Sequence, residues 1–145
     1  MGTLLVGVLD IGEVIAFYAF RGVAPTRILQ AVAAGLIGRE RAISGGIATA
    51  ALGLLIHFCI AFVVVLIYHL AAQRIPLLAK RPIVMGALYG LAVYLMMNFV
   101  VLPFTATGSP RLSPWWVVAN GLFAHVFCVG IPAAWTAHAS EPEGR

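Results

Sequence analysis

Four stretches of this chain are each long and apolar enough to cross a lipid bilayer, and no other feature limits its fold so tightly. A membrane helix takes about 20 mostly apolar residues. The stretches run over 3–20, 43–70, 83–104 and 115–135. The segment Gln73 to Pro82 (QRIPLLAKRP) reads as a short basic turn with two prolines, and Thr105 to Pro114 (TATGSPRLSP) as a polar turn with glycine and two prolines. Of 145 residues, 62% are hydrophobic and 10% charged, where a soluble domain carries about 25% charged residues. A chain this short has too little interior to hide that apolar surface from water. The expected fold is therefore all-α: a polytopic membrane protein whose four transmembrane helices form one bundle over 1–138, with a polar tail over 139–145 expected to fray.

The net charge of +4 does not point to nucleic acid, because the basic residues sit singly or in small groups at the ends of apolar runs. The first run lacks a basic leader and is interrupted by Asp10 and Glu13, so it reads as a retained span rather than a signal peptide. Cys59 and Cys128 lie inside apolar runs and read as free thiols. A disulfide would need their Cα atoms within about 7 Å.

Between the first two spans, residues 26–41 place Ile28, Leu29, Val32, Leu36 and Ile37 at helical spacing, with Thr26 as a candidate cap. The apolar part is too short to span, so an amphipathic helix in the interface is expected, with a re-entrant segment as the alternative. Its Arg27, Arg39 and Arg41 are candidates for lipid-phosphate contacts. Orientation is nearly balanced: Arg74, Lys80, Arg81 and Arg145 fall on one side, and Arg21, Arg27, Arg39, Arg41 and Arg111 on the other. The tight cationic turn at 73–82 favours cytoplasmic termini, and dual topology is the competing reading.

The chemistry lies in the polar residues within the spans. Charged groups there cost about 2.5–3.5 kcal/mol on insertion scales and usually face the bundle interior. Asp10 and Glu13 share a face of the first span. His57, Asn98 and His125 fall in the second, third and fourth spans, with Asn120 a turn from His125. A stripe of Gly46, Ala50, Gly53 and Ala61 carries His57, and Gly86 and Gly90 form a GxxxG, so these faces are expected to pack inward. Gly53–His57 is echoed by Gly121–His125, which suggests two similar helical hairpins in the same orientation.

The plain reading of Asp10, Glu13, His57, Asn98 and His125 is structural: side chains that satisfy one another across helices. Three functional readings compete with it. A buried carboxyl beside an imidazole can relay a proton, which suits coupled transport. Two imidazoles and two carboxylates suit a transition metal. His57 and His125, on helices running the same way, could be the axial ligands of haem b. No cofactor is demanded by any spacing motif. Phosphate loops, nucleophile elbows, HExxH and paired CxxC are missing from the sequence, so no enzymatic role is expected.

From His57 onward the chain resembles the YagU-like bacterial inner-membrane proteins. The likeness rests on His57-Phe58, Tyr68, Arg74-Ile75-Pro76, Gly86, Gly90, Asn98-Phe99, Leu102-Pro103, and Gly121-Leu122 with His125, and covers roughly 53–135. It implies a helical, multi-pass protein of the bacterial inner membrane, and supplies no reaction or cofactor. The N-terminal third departs from that pattern, so Asp10 and Glu13 gain nothing from it.

The functional expectation is a small proton-coupled transport or membrane-homeostasis protein. The alternatives are a non-catalytic accessory subunit or lipid-binding scaffold, and a haem or metal redox protein. The bilayer is the expected partner, with a homo-oligomer or a larger membrane complex beyond it. Four short helices are expected to enclose little volume, which favours a solute path between protomers.

Overall fold

The computed structural model describes residues 1–108, 112 and 114–140. Arg111, Arg145 and most of the 139–145 tail lie outside the described residues. Among the described residues every regular element is helical, and four helices are long and apolar enough to cross a membrane. The protein is an all-α, multi-pass bundle. Its spans are helix α1 (Gly2–Ala19), helix α4 (Gly46–Arg74), a third span over Pro82–Phe104 and a fourth over Trp115–His138. At most 33% of any span's most apolar window is buried inside the protein. Large side chains such as Leu55, Phe62, Leu88 and Phe99 point outward. Only lipid makes such a surface inexpensive.

The third span begins as α6 (Pro82–Met96), widens into a π turn (Met97–Val101) and ends in a 3-10 turn (Leu102–Phe104). The fourth is α7 (Trp115–Phe123), a π segment (Ala124–Gly130) and α8 (Ile131–His138). Each π segment ends two residues before a proline, Pro103 or Pro132. A proline has no N–H to give and its ring presses on the carbonyl four residues back, and a widened turn relieves both problems.

These two spans meet backbone to backbone. A Cβ on Gly86 would lie 2.7 Å from the Cα of Ile131, and one on Gly90 2.8 Å from the Cα of Val126. A Cβ on Gly130 would collide with the Gly86 carbonyl. The GxxxG of the third span therefore does what its pattern predicts, and Gly130 is its counterpart. Below this crossing lies a core of Val64, Val65, Tyr68, Ala79, Ala133 and Ala137. Tyr68 donates to the Leu78 carbonyl (2.9 Å) and Tyr89 to the Val64 carbonyl (2.7 Å), with their rings edge to face. The short helix α5 (Pro76–Lys80) closes that end.

The segment expected to be one helix over 26–41 is two: α2 (Pro25–Ile37) and α3 (Arg39–Ser44). The break is Gly38, whose φ of 82° is left-handed backbone that suits glycine. Helix α2 does not cross the bundle, since it leaves and returns on the side where α1 ends and α4 begins. It is seated hard on α4: a Cβ on Gly53 would run into the Leu29 carbonyl and the backbone of Ala33. Gln30 donates to the Gly46 carbonyl (2.9 Å), and the Ala106 amide donates to the Gly35 carbonyl (2.8 Å), tying α2 to the second span and to the end of the third.

Candidate functional site: a polar pair on the wall of an intramembrane cavity

Helix α1 is 18 residues long, about 27 Å, close to the thickness of the hydrocarbon core. Asp10 therefore falls near its midpoint. At its first half α1 lies close on α4, because a side chain at Gly7 would strike the ring of Phe58. That approach lets His57 Nε2 reach the Gly7 carbonyl at 2.9 Å. Beyond Asp10 the two helices part. Helix α2 wedges in at Gly53, four residues from His57 and so about 6 Å along the axis.

The wedge leaves a cavity of about 1790 Å³. One face of α1 lines it at four-residue steps: Val6, Asp10, Val14 and Tyr18. His57, Ile60 and Val64 line it from α4, and His125 and Val129 from the fourth span. Its volume exceeds the roughly 300–1,000 Å³ of ordinary ligand pockets. The space is a half-open cleft lined by one chain, with α2 seated between the first span and the second.

The protons of the pair follow from geometry. A carbonyl only accepts, so His57 Nε2 carries hydrogen and donates to Gly7. The other ring nitrogen, Nδ1, stands 3.9 Å from Asp10 Oδ2, at ion-pair range but beyond a direct hydrogen bond. If Nδ1 were bare and Asp10 ionised, a lone pair would face a carboxylate. One more proton on the pair, on either Asp10 or Nδ1, makes the contact attractive. Asp10 Oδ1 is buried and has no hydrogen-bond partner among the described residues.

The other candidates gather nearby but make separate contacts. His125 Nδ1 donates to the Gly121 carbonyl (2.9 Å), leaving Nε2 as its acceptor nitrogen, and its ring stands edge-on to Tyr94. Asn98 donates to the Tyr94 carbonyl of its own helix (3.0 Å). Glu13 accepts from Asn120 Nδ2 at 3.3 Å. Asp10, Asn98, Asn120 and His125 all border a second, smaller cavity of about 270 Å³. Asp10 and Glu13 therefore share a helix face but diverge, one toward α4 and the other toward α7. Among the described residues, no group of three or more His, Cys, Asp or Glu is placed to hold a metal ion. His57, one of the two residues considered as haem ligands, directs its Nε2 at a carbonyl. Cys59 and Cys128 are free.

Arg27 and Arg39 line the large cavity, and Arg41 does not. Four contributors were not singled out from sequence: Gly7, Gln30, Gly130 and Arg21. The Arg21 guanidinium lies 3.9 Å from the Phe17 ring centre and 4.4 Å from that of Trp116, pinning the end of α1 to the start of α7. Aromatic residues three or four positions from an arginine at a span end are a readable signal for such a clamp.

Scans against protein-family models, curated proteins and solved structures found no match for the chain.

Proposed function

We propose that this protein takes a membrane-borne ligand into the cavity beneath α2 and links its binding or passage to a proton held by Asp10 and His57. The observation that carries this reading is the position of the pair: at mid-membrane, on the wall of a cavity within one chain. A proton gained or lost there changes the charge facing the ligand space, with few screening groups around it. The reading places the protein in a bacterial inner membrane, on the strength of the likeness that begins at His57. It is a transport or membrane-homeostasis role, not an enzymatic one.

The scaffold reading keeps one observation in its favour. His125 and Asn98 each satisfy a nitrogen on a carbonyl of their own span, as side chains that only set packing would. One experiment separates the two. Cys59 and Cys128 are replaced by alanine, and a polarity-sensitive fluorophore is attached to an Ala31→Cys variant, at the cavity lining of α2. Proton linkage predicts that the emission shifts with pH in reconstituted protein and that Asp10→Asn removes the shift. An emission that ignores pH, or a shift that survives Asp10→Asn, means the pair only holds helices together.

A further inference from the structure

The cavity joins two features that the sequence kept apart. Its deep wall is apolar, formed by Val6, Ile60, Ala61, Val64, Val93 and Val129. Its α2–α3 side carries Arg27 and Arg39. Among the described residues neither guanidinium is paired with a carboxylate, and Arg27 makes only a 3.4 Å contact with the Gln30 side-chain oxygen. Both belong to elements on the side of the bundle where α1 ends and α4 begins, the level at which lipid headgroups lie. An apolar chamber below and two cations without acidic partners above match a molecule with an anionic head and a hydrocarbon chain.

Resting on the cavity reading above, we infer that the ligand is an anionic phospholipid of the surrounding bilayer, with its anionic headgroup on the side of the cavity that carries Arg27 and Arg39 and one acyl chain inside the bundle. A phosphate accepts from a guanidinium, whose planar fork suits it better than a lysine would. The acyl chain covers apolar wall that would otherwise meet water or empty space, which lipid satisfies at little cost. The α2 roof is held by Gln30 to Gly46 and by Ala106 to Gly35, so the headgroup site has a fixed frame. The chain then passes Asp10 and His57 on the cavity wall, where a proton change alters the polarity it meets.

The test uses the full chain in phosphatidylcholine vesicles with a minor share of phosphatidylglycerol bearing a photo-crosslinker at the end of one acyl chain. Peptide mapping after irradiation should place the label on Val64, Val93 or Val129. Arg27→Gln with Arg39→Gln should cut that labelling about thirtyfold, from roughly fivefold per cation. Arg27→Lys with Arg39→Lys should retain most of it, which separates lost charge from lost fold. Ala31→Trp, which adds bulk at the cavity lining of α2, should lower it. Equal labelling of the wall by a phosphatidylcholine probe overturns the inference, and so does label confined to outward residues such as Leu55 and Phe62. The pH response of the Ala31 fluorophore is a separate readout. Its absence removes the proton linkage, while the labelling pattern alone decides the lipid.

Discussion

The hairpin of α1 with α4 and the hairpin of the third span with the fourth run the same way through the membrane, and each presents a histidine at mid-depth. They pack by different means. In the second hairpin Gly86, Gly90 and Gly130 bring backbone onto backbone over one half, and only the smaller cavity of about 270 Å³ borders the rest. In the first, contact is confined to one end, where Gly7 admits the Phe58 ring. Past Asp10 the helices diverge and α2 fills only part of the gap, leaving about 1790 Å³. The contrast teaches what the glycines are for. Without a hydrophobic drive between helices in lipid, close packing supplies the stability, so one hairpin is built to stay shut. The other spends little on mutual contact and keeps its costly polar groups beside the open space.

The sharpest way to break the comparison is to force the closed hairpin apart. Gly90→Leu puts a side chain where the His125 and Val126 backbone lies. It should cost about 3 kcal/mol, the upper end of ordinary overpacking, read from unfolding in mixed micelles. Gly12→Ala is its control, because open space surrounds that position, and it should be neutral or gain up to about 1 kcal/mol. The open hairpin should tolerate more. Gly7→Ala pushes on a ring, not on backbone, so a loss of about 1.5 kcal/mol is expected, together with a changed ring-nitrogen NMR signal for His57. Arg21→Ala removes the contacts to Phe17 and Trp116 and should cost about 1 kcal/mol, with a shift in Trp116 fluorescence. Asn120→Ala frees Glu13 and should cost about 0.6 kcal/mol, the average for hydrogen bonds within membranes. If Gly7→Ala proves as damaging as Gly90→Leu, the two hairpins are equally closed and the distinction fails.

Much of this was legible from hydropathy and small-residue spacing. The four spans follow from apolar length, and the GxxxG at Gly86 and Gly90 marked a real crossing. Gly130 escaped because the π segment over Ala124–Gly130 adds residues per turn and rotates the face. Helical spacing counted from Gly121 and His125 therefore does not carry through to Gly130. The sequence placed Asp10 and Glu13 on one face, but a helix face says nothing about which neighbour flanks each side. Here α4 takes Asp10 and α7 takes Glu13. The cavity was the least legible feature. It arises from the seating of α2 on Gly53 and from the Gly38 break, and both depend on how helices meet, not on the pattern within any one of them.

The central claim is that Asp10 and His57 together hold one exchangeable proton beside the cavity. Infrared difference spectra of the reconstituted protein across a pH titration, with ¹⁵N-labelled histidine observed in parallel, test it most directly. The account predicts that His57 keeps hydrogen on Nε2 throughout. It predicts that the single proton is seen either as a protonated-carboxyl band lost in Asp10→Asn, or as a charged imidazolium in wild type that Asp10→Asn makes neutral. A His57 that is neutral beside an ionised Asp10 over the whole titration, with neither signal changed in Asp10→Asn, would contradict it.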